Sequence, residues 1–192
     1  MNTTTNGDPR ADQLIRKLRG IARDVDIRSD ARRTMAELRR GLRDDPRDRL
    51  RVLKVVAPIL GPPPEERWKI ESEEWFYIVA ALYASHPEYE RDVSLGEAFR
   101  RMAADSDSVE QRFMSLLSAR PEPDRMRPLL RQAVALLSVN RRPVPLDWLM
   151  LLNDLLLLKN FERDVKQRWA RDFYSTFEDN TTDLMEIKKD ED

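Results

Sequence analysis

The stretch ARRTMAELRRGLR, residues 31–43, places five arginines and one acid in thirteen positions. A guanidinium is planar, keeps its charge at any biological pH and grips a phosphate through two parallel N–H bonds, so clustered arginine is the chemistry of polyanion binding. At about 100° per helical residue, Ala31, Met35, Leu38 and Leu42 fall on one narrow face, while Arg32, Arg33, Arg39, Arg40 and Arg43 share an adjoining arc of roughly 120°. An ordinary solvated face alternates sign at four-residue spacing, and only Glu37, at the edge of the arc, offers that here.

Other chemistries lack their residues. The one histidine, His86, stands where an apolar helix ends, a place that favours an imidazolium at the surface. The absence of cysteine excludes disulfides, thiol catalysis and cysteine-ligated zinc, and fits a cytoplasmic location. Adjacent acids such as Glu73/Glu74 and Asp44/Asp45 diverge around a helix, and no Glu-x-x-His pair exists to hold a metal. The five glycines are too scattered for a phosphate-cradling loop, and PEPD at 121–124 has no strand beside it of the kind nuclease acids sit on. No catalytic residue, metal or cofactor is therefore expected. Trp68, Trp75, Trp148 and Trp169 could stack bases, but their apolar helical settings assign them to the core.

The elements that must position these arginines read as all-α: eight or nine helices packed as two small helical-bundle lobes. Leucine, alanine, arginine and glutamate dominate, and glycine is too scarce for turn-rich sheet folds. RADQLIRKLRGIARDVD repeats Leu14, Ile15, Leu18, Ile21, Ala22 and Val25 at helical spacing. Ser29 or Asp30 is placed to cap the arginine helix, and Pro46 to open a helix over 47–57. The prolines of PILGPPPEER set a lobe boundary near 58–66. ESEEWFYIVAALYASHP, apolar from Trp75 to Tyr83, predicts a central helix touched on most sides. Ser94 and Glu97 form a capping box; a further helix starts near Pro128; and Asn160 caps the last one. Residues 1–9 read as a disordered leader, 10–176 as the helical domain and 177–192 as a disordered acidic tail. LDWLMLLNDLLLLK is too short and too often charged to cross a bilayer, so no membrane is expected.

Charge is segregated along the chain. Residues 1–60 carry 15 basic against 9 acidic side chains, 61–120 carry 7 against 12, 121–176 carry 10 against 7, and 177–192 carry 2 against 7. The net −1 thus conceals a basic front suited to a polyanion and acidic stretches suited to other neighbours. Arg131, Arg141, Arg142, Arg168 and Arg171 extend the basic stripe if the fold brings them near it.

From residue 78 onward IVAALYASHP, SVEQRFMSLLSA, LLRQAVALL, PLDWLMLLNDLL and VKQRWARDFY follow in an order and spacing that resemble the small subunit of the type I-E CRISPR Cascade, the CasB family. The resemblance runs from about residue 31 to 176. It implies a two-lobed helical subunit without enzymatic activity, present as a head-to-tail pair. Its partners would be crRNA, target and non-target DNA, and the large and backbone subunits. It further implies a basic path supporting the guide–target heteroduplex and the displaced strand of an R-loop. Family binding positions fall here on Arg39, Arg40, Arg112, Lys69 and Arg131. One departure is Leu157-Leu158-Lys159, where many relatives carry an aromatic residue. Arg112 also adjoins the Val109–Phe113 stripe, where a buried ion pair with Glu97 or Asp105 is an alternative use for it. Two other readings of the chain remain open: a protein–protein adaptor whose arginines meet acidic patches, and a metal-dependent helical nuclease.

Overall fold

The computed structural model describes residues 7–43, 45–103, 107–139 and 142–175, without the side chains of 67, 68, 103 and 107. Most of the leader and the whole acidic tail lie outside them, as does Arg141. Among the described residues eight helices follow in order: α1 (Pro9–Arg23), α2 (Ser29–Arg40), α3 (Pro46–Leu60), α4 (Arg67–Ser85), α5 (Leu95–Ala103), α6 (Asp107–Ser118), α7 (Pro123–Val139) and α8 (Trp148–Tyr174). No strand occurs among the described residues.

The helices form two groups joined chiefly through α4. α1, α2 and α3 pack on one another and on α4; α5 packs on α6, α7 and α8; α4 also meets α7 and α8, and α1 packs on α8 as well. The apolar run of α4 dictates this place. Trp75, Phe76 and every residue from Ile78 to Ala84 are buried, so neighbours must cover it on most sides. Burying a side chain such as Phe76 or Leu82 contributes about 1.5–3 kcal/mol, against about 0–1 kcal/mol for an exposed ion pair, so packing fixes the arrangement. One polar tie adds to it: the Glu74 carboxylate on α4 accepts two bonds from Arg49 of α3, at 2.7 and 2.5 Å, and one from Arg127 of α7 at 2.8 Å.

Helix ends follow local chemistry in part. Asp8 and Asp45 cap α1 and α3 by accepting from the backbone N–H two residues on, each ahead of a proline in the first turn. The expected cap of α2 does not form: Arg28 precedes the helix without a side-chain cap bond, and Asp30 is held by the Arg28 guanidinium at 2.7 Å. Only half of the capping box forms. Ser94 Oγ accepts from the Glu97 N–H at 3.1 Å, but the Glu97 carboxylate turns to Arg101 at 2.8 Å. α7 starts at Pro123, five residues before the expected Pro128, because Pro123 suits a first turn and one missing N–H at Pro128 does not end the helix.

Close approaches explain two glycines. A Cβ on Gly41 would overlap Val52 Cγ2 where α2 ends against α3, and one on Gly96 would overlap the Trp169 carbonyl oxygen where α5 meets α8. α8 itself is folded back. Arg168 and Trp169 both bond to Asp154, although 14 residues of straight helix would separate them by roughly 21 Å. The reversal is at Phe161, whose φ of −133° and ψ of 37° are not helical. Asn160 makes no cap bond there among the described residues; the Asp154 bonds and buried apolar residues of both arms join them. His86 also departs from expectation: it ends α4 but is only 2 % exposed, and its Nε2 lies 2.7 Å from the Val144 carbonyl oxygen, to which it donates.

Candidate nucleic-acid interface

α2 lies down on its apolar face, with Ala31, Met35 and Leu38 buried and Leu42 half-buried beyond its end. That fixes where the arginines point: Arg32, Arg33, Arg39, Arg40 and, in the turn after Gly41, Arg43 are all exposed. None of the five forms an ion pair with a carboxylate among the described residues, and Glu37 pairs with none of them. Other arginines do pair: Arg10, Arg16, Arg28, Arg49, Arg51, Arg101, Arg127 and Arg168 all bond to Asp or Glu. The arc on α2 is therefore a run of guanidinium groups whose in-plane donors face water.

Arg39 differs from its neighbours. Its Nε donates to the Ala84 carbonyl oxygen at 2.5 Å, which ties α2 to the last turn of α4 and satisfies a carbonyl that the helix leaves without a partner. Its exposure hides this tie, since the terminal nitrogens still reach solvent. Arg43 lines a cleft of about 370 Å³ whose other charged walls are Arg49, Glu74, Asp45, Asp124 and Arg127. Glu74 bonds to both Arg49 and Arg127 there, and with Asp45 and Asp124 the acids outnumber those two arginines, so the cleft adds little to the positive field.

The remaining sequence candidates sit on other parts of the fold. Arg112 of α6, Arg131 of α7, Arg142 in the segment before α8 and Arg171 of α8 are exposed and have no carboxylate partner among the described residues. They belong to the second helix group, whereas α2 packs on α1, α3 and α4, so the fold does not gather them onto the α2 arc. The alternative pairing of Arg112 with Glu97 does not form, because Glu97 is engaged by Arg101; Asp105 lies outside the described residues. Lys69 bonds to Glu66 at 2.8 Å. Arg168 is bound to buried Asp154, whose carboxyl is held above the usual range by desolvation, with Arg168 and Trp169 opposing. Trp75, Trp148 and Trp169 are buried, in the core and not at the surface.

Two arginines belong to α1, the helix packed on both α2 and α4. Arg19 and Arg23 are exposed, and the positive charge of both opposes the burial that pushes the Tyr83 hydroxyl up to about 12. Their one local signal is a like-charge pair four residues apart, a spacing that helices commonly fill with opposite charges.

Known proteins share this architecture. The family model for CRISPR-associated protein Cse2 covers residues 34–174. A CRISPR-associated protein Cse2 of Thermus thermophilus is 38% identical over 140 residues, spanning 72% of this chain and 77% of that protein. A crystal structure of a Cse2-family CRISPR-associated protein from the same organism superposes with a TM-score of 0.69 at 32% identity, covering 86% of this chain and 98% of the other. A chain in a structure of a CRISPR RNA-guided surveillance complex gives 0.64 at 28% identity, covering 85% and 90%.

Proposed function

Because the chain belongs to the Cse2 family of CRISPR-associated proteins, we propose that it is a non-catalytic subunit of a CRISPR RNA-guided surveillance complex and holds nucleic-acid backbone through arginine. The observation that carries this reading is the α2 arc, five exposed guanidinium groups without a carboxylate partner among the described residues. Contacts of that kind bind phosphates and read no bases, so binding is independent of sequence and supports the guide–target heteroduplex and the displaced strand of the R-loop. Arg32, Arg33, Arg40 and Arg43 make the first contact region, with the terminal nitrogens of Arg39. Arg112, Arg131, Arg142 and, beyond the described residues, Arg141 make a second on the other helix group, and Lys69 reaches the strand by releasing Glu66.

The partners are crRNA, target and non-target DNA, the large and backbone subunits and a second copy of this chain. A holding role is favoured over catalysis because the described residues contain no group of three or more His, Asp or Glu side chains able to hold a metal. The single imidazole is also buried against a backbone carbonyl. Work in the cytoplasm belongs to the same proposal and is supported by a chain without cysteine. No helix among the described residues is long and apolar enough to cross a membrane.

Fluorescence anisotropy with labelled single-stranded DNA over a salt series tests the reading. Five phosphate contacts give a log–log slope of about −3.5, and R32A/R33A/R40A flattens it by about 2. A response that does not change with salt, or no binding at all, refutes it and leaves the protein–protein adaptor; cleavage of the DNA with magnesium establishes a nuclease instead.

A further inference from the structure

We propose that Arg19 and Arg23 of α1 form a phosphate subsite at the C-terminal end of α4, taking the phosphodiester backbone of a single strand, with Arg39 as its positioning residue. The inference rests on the nucleic-acid reading above and adds residues that the family match, which begins at residue 34, does not reach.

The pattern along α1 isolates the two side chains. Arg10 is engaged by Asp8 at 2.8 Å and by Glu73 at 3.6 Å, Arg16 by Asp12, and Lys17 by the Val55 carbonyl oxygen at 3.0 Å. Arg19 and Arg23 pair with no carboxylate among the described residues. One turn apart on the helix, they share a face, and both act on the hydroxyl of Tyr83 in α4. Arg19 is also preset. Its guanidinium lies 4.1 Å from the centre of the Tyr89 ring, and stacking on a ring face leaves the in-plane N–H donors free for an oxyanion.

Arg39 completes the cluster from α2. Its bond to the Ala84 carbonyl sets α2 against the end of α4 that Arg19 and Arg23 flank from α1. The negative end of a helix opposes an anion with about half a charge, which three guanidinium groups outweigh. Acids stand nearby as well: Asp147 and Asp92 act on the Tyr89 ring against Arg19 and Arg91, and Glu88 acts on Tyr83. Asp147 is engaged as the cap of α8, and Asp92 faces Arg91 at 3.8 Å. Since Arg39 also belongs to the α2 arc, the subsite continues that arc across onto α1. A strand lying along α2 therefore passes to Arg19 and Arg23.

The experiment compares the full chain with R19Q/R23Q, which keeps helix-forming side chains of similar reach and removes both charges. Arms with labelled single-stranded DNA and single-stranded RNA of one length test the shared backbone chemistry. The expected result is a salt slope shallower by about 1.4, with a loss of affinity of roughly sixty-fold at about 50 mM salt. R16A, from the same helix but already paired with Asp12, keeps the original slope, as does R19K/R23K. A melting temperature for each variant separates lost binding from lost folding. If the unaltered protein binds and R32A/R33A/R40A flattens the slope while R19Q/R23Q does not, the subsite is overturned and the α2 reading stands. If the unaltered protein binds neither strand, both fall.

Discussion

Replacing Asp154 by alanine tests whether the fold-back of α8 depends on a single carboxylate. Asp154 is buried, accepts from the Trp169 indole N–H at 2.6 Å and pairs with Arg168. Trp169 is wholly buried, so the substitution leaves its N–H without a partner and away from water, a cost of about 1–3 kcal/mol. The Arg168 side chain is 46% exposed, so its lost pairing adds only about 0–1 kcal/mol. Together these give about 1–4 kcal/mol, or a fall in melting temperature of roughly 2–16 °C for a chain of this length. Urea denaturation followed by circular dichroism measures it, with R168A as the comparison, which should cost no more than about 1 kcal/mol. A cost for D154A below about 0.5 kcal/mol would show that Phe161 and the apolar contacts of the two arms suffice to turn the chain.

The same carboxyl gives a pH prediction. Burial raises its folded value above the unfolded 3.8, so the folded state holds more protons as pH climbs past 3.8 and the contribution of this group to stability falls with rising pH. The stability difference between the unaltered protein and D154N should therefore shrink from about pH 4 to about pH 7 in urea titrations; a difference that grows refutes the upward shift. Removing the last two arginines of α2, one at a time, separates holding from binding. R39A should cost about 0.5–1.5 kcal/mol through the lost bond to Ala84, and R40A less than about 0.5 kcal/mol, as read by thermal melts; equal effects refute the structural role of Arg39.

What is legible in the sequence is local. The face of α2 and the burial of α4 follow from spacing along a single element, and the all-α class follows from composition. What escapes such reading depends on residues far apart in the chain. The sequence marks His86 as a helix end but not as a buried group, because the oxygen that covers its ring belongs to Val144, 58 residues later. Arg39 looks like its neighbours until Ala84, 45 residues on, occupies its Nε. Arg19 and Arg23 gain importance only when α1 is laid beside α2 against the end of α4. The caps differ from expectation for another reason: Asp30 and Glu97 each find a guanidinium in competition with the backbone, and the charged bond prevails.

Glu74 stands at the meeting point of three helices, binding an arginine from either side of the molecule. A hinge at that point would have to break charged bonds on one flank before it could open. The distance from the guanidinium row on α2 to those on α6 and α7 is set by the packing of the helices, to which these bonds add. On the reading proposed above, a strand or a duplex that reaches both helix groups meets its guanidinium partners at an interval that the packed helices set in advance.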